Sequence, residues 1–341
     1  MDIVHISAEC YPVAKVGGLG DVVGALPKYQ NNAGNTVSVV MPCYDTKFKE
    51  ANQFTTVYED IVKLGQFEFS YEVLKETTNK LGFELYLIAI PSLFDRPNVY
   101  GYEDDIERFV SFQVAALNWL SNRATVPDII NCHDHHTGLI PFMMLYSHRY
   151  EILRNTPSII TIHNGLYQGQ FGFDKLHYLP EFDVEYANLL EWDYCINSLA
   201  VGVKCAWHVT TVSPSYLEEI SHFANGLERL FTMVQYKSRG ILNGIDTQLW
   251  NPASDKLLEK HYDISTFELG KLENKKILCK LFNLDPEKPL FSFIGRLLNE
   301  KGGDLLTQAS ALALSENYKE INILILGSGN TEIENDLNRL K

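Results

Sequence analysis

The chain has 341 residues, more than one ordinary domain, and 45% of them are hydrophobic, enough for packed cores and too many for wholesale disorder. A formal net charge of −14 argues against a nucleic-acid or anionic-membrane surface, since both need basic patches, yet a few local cations could still hold an anionic small molecule. The six cysteines (Cys10, Cys43, Cys132, Cys195, Cys205 and Cys279) have no C-x-x-C spacing, no basic-then-apolar leader follows Met1, and no apolar run is long enough to span a bilayer, so the expectation is a soluble, cytoplasmic protein with reduced thiols.

In chain order, short runs rich in Val, Ile and Leu predict buried strands at 3–7 and 36–41, then at 85–89, 129–132, 158–162 and 208–212, with a hairpin-like insertion near 61–74. Apolar residues at helical spacing predict a helix over 104–122. Ser213-Pro214 opens another, an N-cap followed by proline at the first helical position. A looser polar stretch covers 251–274, after which alternation restarts. Strands at 290–294 and 321–326 end in Gly295-Arg296 and Gly327-Ser328-Gly329. Strand–helix alternation predicts doubly wound α/β sheets. The boundary falls near Trp250, separating a Rossmann-like domain over 1–249 from a partial one over 250–341. Two parallel strands can neither bury both faces nor cover their edges, so something is expected to complete the second sheet.

Three clusters carry candidate chemistry. Lys15-Val16-Gly17-Gly18-Leu19-Gly20-Asp21 follows the first strand and precedes a helical pattern over 22–28. It reads as a tight turn or as a place where backbone and helix N-terminus approach a phosphate. A nicotinamide-binding reading fits less well, because Gly18-x-Gly20-x-x-x-Gly24 is one residue too long for G-x-G-x-x-G. His133, Asp134, His135 and His136 follow another strand, as do His163 and Asn164. The histidines could hold a metal, though the remaining ligands of a three- or four-ligand site are not evident, or they could cap loop backbone. Arg296 and Lys301 follow the first strand of the second domain.

The ordered set of motifs resembles the glycogen and starch synthases. Lys15-Val16-Gly17-Gly18-Leu19, after Ser7-Ala8-Glu9, is similar to that family's Lys-x-Gly-Gly-Leu signature, with Val16 in place of the usual Thr or Ser. The likeness continues through Gly24-Ala25-Leu26-Pro27, 39–44, His133 to Thr137, 161–164 and 211–216. It extends to 238–246, Gly295-Arg296-Leu297 and Lys301-Gly302-Gly303. The resemblance implies a GT-B fold of two Rossmann-like domains and retaining transfer of glucose to the non-reducing end of an α-1,4-glucan. The implied donor is ADP-glucose, with UDP-glucose as the alternative, and the acceptor is glycogen or a malto-oligosaccharide. No metal or other cofactor is implied.

By the same resemblance, His163 hydrogen-bonds the transferred glucose and Asp134 makes a polar contact in the sugar or acceptor cleft. His135 stands where the family commonly has tryptophan. Arg296 and Lys301 would grip the diphosphate, where cations stabilise the charge that grows as the leaving group departs. Lys15, Gly17 and Gly18 would contact the donor from the other domain, Asn243 and Asp246 would line the cleft near the hinge, and Gly327 would turn near the nucleotide. The family continues past the position of Lys341 through a Glu-Pro-Cys-Gly-Leu-like segment, a second Gly-Gly-Leu-like stretch and a returning helix. The expectation is therefore a partial second domain in an expression fragment, a disrupted gene product or half of a split enzyme, with a partner polypeptide completing it in the last case. The competing reading is an inactive glucan-binding fragment, with Phe94, Tyr100 and Tyr102 as aromatics that could stack on sugars.

Overall fold

The computed structural model describes residues 1–315 and 320–341, which form two compact units, Met1–Ile245 and Asp246–Lys341. The first unit begins with β1 (Asp2–Ile6), α1 (Gly18–Asn32), β2 (Thr36–Pro42) and α2 (Lys47–Ala51). The hairpin β3 (Phe54–Leu64) and β4 (Phe67–Glu76) leads to β5 (Glu84–Ala89), α3 (Asp105–Ser121), β6 (Ile129–His133), α4 (Ile140–Tyr146) and β7 (Ser158–Ile162). A small sheet of β8 (Gln170–Phe171), β9 (Glu191–Trp192) and β10 (Cys195–Asn197) precedes α5 (Ser198–Cys205). Then come β11 (His208–Thr211), α6 (Pro214–Ile220), α7 (Glu228–Met233) and β12 (Ser238–Gly240).

Nine strands form one sheet in the order β12-β11-β7-β6-β1-β2-β5-β4-β3. It is parallel from β12 to β5, and only the hairpin adds antiparallel pairs. The central parallel strands, such as β2 and β6, are nearly continuous in buried residues because helices cover both faces, whereas the edge strand β12 (Ser238–Gly240) is not. The hairpin lies at the sheet's edge, with β3 largely exposed at its start and alternating toward its end, where Val62 and Leu64 are buried. It runs longer than the 61–74 insertion that its apolar residues outline. Helix α3 is buried on every face from Arg108 to Leu120, so it is a core element, not an amphipathic cover. Its fully buried Arg108 donates to the Leu93 and Val99 carbonyls and to Asp105. The charge is therefore compensated and the 93–104 segment is tied to the helix.

The second unit contains α8 (Phe267–Leu281), β13 (Leu290–Ile294), α9 (Gly303–Ser315), β14 (Asn322–Leu326) and α10 (Thr331–Leu340), with β13 and β14 paired in parallel. Helix α8 begins inside the stretch whose polarity predicts an irregular segment. Its apolar residues lie largely at the surface: Leu269 is 69% exposed and Leu281 71%. The loops leaving β13 and β14 are interlocked. Leu297 N donates to Ser328 O and Asn330 N to Leu297 O. A Cβ on Gly327 would lie 2.1 Å from the Gly295 carbonyl oxygen, so only glycine permits this approach. Among the described residues no helix is long and apolar enough to cross a membrane.

Candidate active site

In the first unit, β1 lies between β6 and β2, where the order of connection reverses. In open α/β sheets the crevice beyond the carboxyl ends of such strands is where ligands bind. The segments leaving β1, β6 and β7 bring Glu9, Asp134 and His163 there.

Glu9 is buried and organises the glycine-rich loop. Its Oε2 accepts the N–H groups of Val16 at 2.6 Å and Gly17 at 2.9 Å, and its Oε1 accepts the Tyr100 hydroxyl at 2.6 Å. Helix α1 starts at Gly18, within the loop and ahead of the helical pattern read over 22–28. The glycines then divide by role. A Cβ on Gly24 would meet the Tyr11 carbonyl oxygen at 2.4 Å, and one on Gly20 would press on Lys15 and Glu9. Those two glycines allow α1 to pack closely. A Cβ on Gly17 or Gly18 would meet nothing within 4 Å, and the φ of Gly17 is an ordinary −142°. Neither packing nor backbone conformation explains glycine there, whereas close approach by a ligand would. Because Glu9 already holds the Gly17 N–H, the donors open to a ligand are those of the first turn of α1, which have no intrahelical partners. Lys15 pairs with Asp21 at 2.7 Å, both side chains well exposed.

Asp134 joins the ends of β6 and β7. Its Oδ1 accepts the backbone N–H of His163 at 2.7 Å and of Asn164 at 3.4 Å, and its own N–H donates to Thr161 O. Its φ of 56° is unusual for a residue other than glycine, a strain of the kind concentrated at functional sites. Burial pushes its carboxyl up to about 7, with nearby Glu9 adding to the rise and the two backbone donors opposing it. His163 is half-buried, and burial lowers its imidazole to about 4. It is neutral at pH 7, suited to hydrogen bonding and not to delivering a proton. Among the described residues no group of three or more His, Cys, Asp or Glu side chains could hold a metal ion.

The His136 ring packs among aromatics instead of capping backbone, whereas the His135 ring bonds to the Tyr167 backbone, as the capping reading expects. His136 stacks on Tyr100, with centroids 4.6 Å apart, and meets Phe109 edge-on. The sugar-stacking reading of the aromatics is also corrected. Phe94 is fully buried, the Tyr100 hydroxyl is engaged by Glu9, and Tyr102 lies beneath the Arg96 and Arg108 guanidinium groups. Core packing of α3 and its preceding loop claims all three rings.

Asn243 is exposed beyond β12, its N–H donating to Val212 O. Asp246 opens the second unit and caps a turn, its Oδ1 accepting from Gln248 N and Leu249 N. Arg296 and Lys301 are exposed at the carboxyl end of β13, and neither forms an ion pair with another described residue. The expected site residues thus fall into two sets. Lys15, Gly17, Gly18, Asp134 and His163 gather around Glu9 in the first unit, with Asn243 on the segment after β12, and Asp246, Arg296, Lys301 and Gly327 belong to the second. In the sequence Glu9 stands only as part of the Ser7-Ala8-Glu9 signature. Its one legible signal was its place two residues beyond a strand and just ahead of a glycine-rich loop.

A family profile described as "Starch synthase catalytic domain" matches residues 2–233. A glycogen synthase of Flavobacterium johnsoniae is 67% identical over the whole chain, which spans 72% of that protein. The chain belongs to the glycogen and starch synthase family. Within it, a glycogen synthase of Streptococcus gordonii is 37% identical, covering 98% of this chain and 71% of that protein. The catalytic domain of starch synthase IV from Arabidopsis thaliana, solved with ADP and acarbose bound, matches with a TM-score of 0.90 at 30% identity, over 99% of this chain and 71% of that one. This family member has the GT-B fold class and is by family a glycosyltransferase. That membership displaces the nicotinamide reading of the glycine-rich loop.

Five buried or half-buried histidines make the stability of this family member depend on pH. Burial holds His5, His135 and His163 at about 4, and His133 and His136 well below their ordinary value of 6.5. The unfolded chain therefore binds more protons than the folded one between about 4 and 6.5. Stability is full above that window and is lost as pH falls through it, at ~1.4 kcal/mol per pH unit for each withheld proton. Asp134 acts in the opposite sense, its share fading as pH rises from about 4 to 7, but it is one group against five. Urea unfolding should show markedly lower stability at pH 5.5 than at pH 7.5. Equal or greater stability at pH 5.5 would contradict the burial of these rings.

Proposed function

We propose that this chain is a glycogen synthase, transferring glucose from ADP-glucose to the non-reducing end of an α-1,4-glucan with retention of configuration. The observation that carries the reading is the 67% identity to a glycogen synthase, which extends over every residue of the chain. The ADP and acarbose bound to the Arabidopsis relative support a nucleotide-sugar donor and a glucan acceptor. In this reading residues 1–249 form the starch synthase catalytic-type domain and 250–341 carry part of the nucleotide-sugar domain. Lys15, Gly17 and Gly18 meet the donor, with the two glycines leaving room for it. Neutral His163 accepts or donates a hydrogen bond at the transferred glucose, and Asp134 holds the backbone that carries His163. Arg296 and Lys301 take up the charge that develops on the departing diphosphate, with Gly327 keeping the Arg296 loop in place. Asn243 and Asp246 contact the donor from the segment that joins the units.

The test is incorporation of labelled glucose into glycogen by the purified chain, with ADP-glucose and UDP-glucose in parallel. Incorporation from ADP-glucose well above that from UDP-glucose is the expected result. A folded chain that binds glucan but incorporates no glucose from either donor would replace this reading with that of an inactive glucan-binding protein.

A further inference from the structure

Three histidines form a diagonal across one face of the main sheet. The parallel register places His5 of β1 opposite Asn131 of β6, and His133 of β6 opposite Thr161 of β7. From His5 to His133, and again from His133 to His163, the line moves over one strand and two residues toward the carboxyl edge. A shift of two keeps all three rings on the same face. The nitrogens meet in sequence. His5 Nδ1 lies 3.0 Å from His133 Nε2, and His133 Nδ1 lies 3.0 Å from His163 Nε2. At the far end His5 Nε2 lies 2.7 Å from the side-chain oxygen of Gln30, in the last turn of α1. His5 and His133 are fully buried.

A neutral imidazole has one donor and one acceptor nitrogen, so the chain has a direction. The Gln30 oxygen can only accept. His5 must therefore carry its proton on Nε2, which leaves Nδ1 as a lone pair. His133 must donate from Nε2 to that lone pair, and its own Nδ1 is then an acceptor. His163 in turn donates from Nε2. We infer that Gln30, His5 and His133 are positioning residues that fix His163 as its Nε2–H tautomer, presenting an unprotonated Nδ1 as a hydrogen-bond acceptor for a sugar hydroxyl. His163 Nδ1 has no hydrogen-bond partner among the described residues. A hydroxyl donating to it keeps both oxygen lone pairs for other contacts, so the relay sets the direction of the sugar's hydrogen bonds. That the hydroxyl belongs to a sugar rests on the function proposed above; the tautomer does not.

The test is a long-range proton–nitrogen correlation spectrum of the full chain labelled with ¹⁵N-histidine at pH 7.5, which reports the protonated nitrogen of each ring. The expected spectrum has His5, His133 and His163 neutral and protonated on Nε2. His163 protonated on Nδ1, as it would be if the Gln30 amide donated instead, overturns the inference. Gln30→Glu retains an oxygen acceptor and should leave the His163 pattern intact. Gln30→Leu removes the acceptor and should convert His163 to a mixture of tautomers, with kcat falling about threefold to tenfold. A His163 pattern unchanged in a folded Gln30→Leu protein also overturns it, since only the relay connects that side chain to His163. Titration with malto-oligosaccharide and ADP-glucose separates the two claims. The relay stands if the free-protein spectrum is as expected and Nδ1 does not respond to either ligand, and in that case only the sugar contact fails.

Discussion

Arg296→Ala is expected to lower kcat for glucose transfer about 10²- to 10³-fold while changing glucan affinity less than about twofold. The reasoning begins with what Arg296 does not do. It is exposed at the carboxyl end of β13 and forms no ion pair with another described residue, so its removal breaks no internal contact of that kind. Its loop is held independently of its side chain, through Leu297 N to Ser328 O, Asn330 N to Leu297 O and the close approach at Gly327. A cation so placed has little effect on folding and is free to act on a ligand. When a glucosyl bond to a diphosphate breaks, negative charge gathers on the departing oxygen, and a preorganised guanidinium is worth more at that moment than before it. Lys301→Ala should follow the same pattern with a smaller loss, because an ammonium lacks the two-pronged geometry. Steady-state kinetics with ADP-glucose and malto-oligosaccharide decide the matter. A parallel loss of kcat and glucan affinity would remove Arg296 from the charge-stabilising role.

Glu9→Ala should produce the largest loss of stability among the site residues, on the order of 2–5 kcal/mol. One buried carboxylate satisfies the Val16 N–H, the Gly17 N–H and the Tyr100 hydroxyl together. Removing it leaves three part-buried donors without their acceptor; an unpaired donor costs about 1–3 kcal/mol when fully buried and less where water reaches it, and the three losses are not additive because they share one acceptor. Glu9→Gln should be milder, since one oxygen remains an acceptor while the amide N–H₂ faces at least one donor. Both variants should raise the KM for ADP-glucose, because the loop preceding Gly18 loses its anchor, whereas Tyr100→Phe should cost only about 1 kcal/mol. Thermal unfolding alongside donor kinetics is the measurement. A Glu9→Ala protein with unchanged Tm would show that the loop is held by other means.

Comparing residues read from the sequence with their places in the fold shows which kinds of information a linear pattern carries. Strands β1, β2, β5, β6, β7, β11, β13 and β14 are legible within a residue or two because each is a short run rich in apolar residues, whether buried as in the first sheet or partly exposed as in β13 and β14. Helix α3 was legible as a helix, but its burial on all sides was not, since periodicity reports the spacing of apolar residues and not the number of covering layers. Helix α8 was hidden because its polar composition resembles a loop, and its apolar residues remain largely exposed. Phe94, Tyr100 and Tyr102 could serve as sugar platforms, although core packing is the commoner use of aromatic residues. Only their neighbours, His136, Arg108 and Glu9, assign them to packing.

The sequence by itself determined the family, the alternation of strands and helices, and the order of the motifs at strand ends, since each of these is written in residue type and spacing along one line. The tertiary structure alone decided which glycines answer to packing and which to a ligand, because that depends on what lies where a Cβ would be. It alone showed that Glu9 holds the loop and that Asp134 bridges two strand ends. It also set the direction of the Gln30–His5–His133–His163 chain. Those relations depend on register between strands far apart in sequence, and register is fixed only when the whole sheet closes around its core.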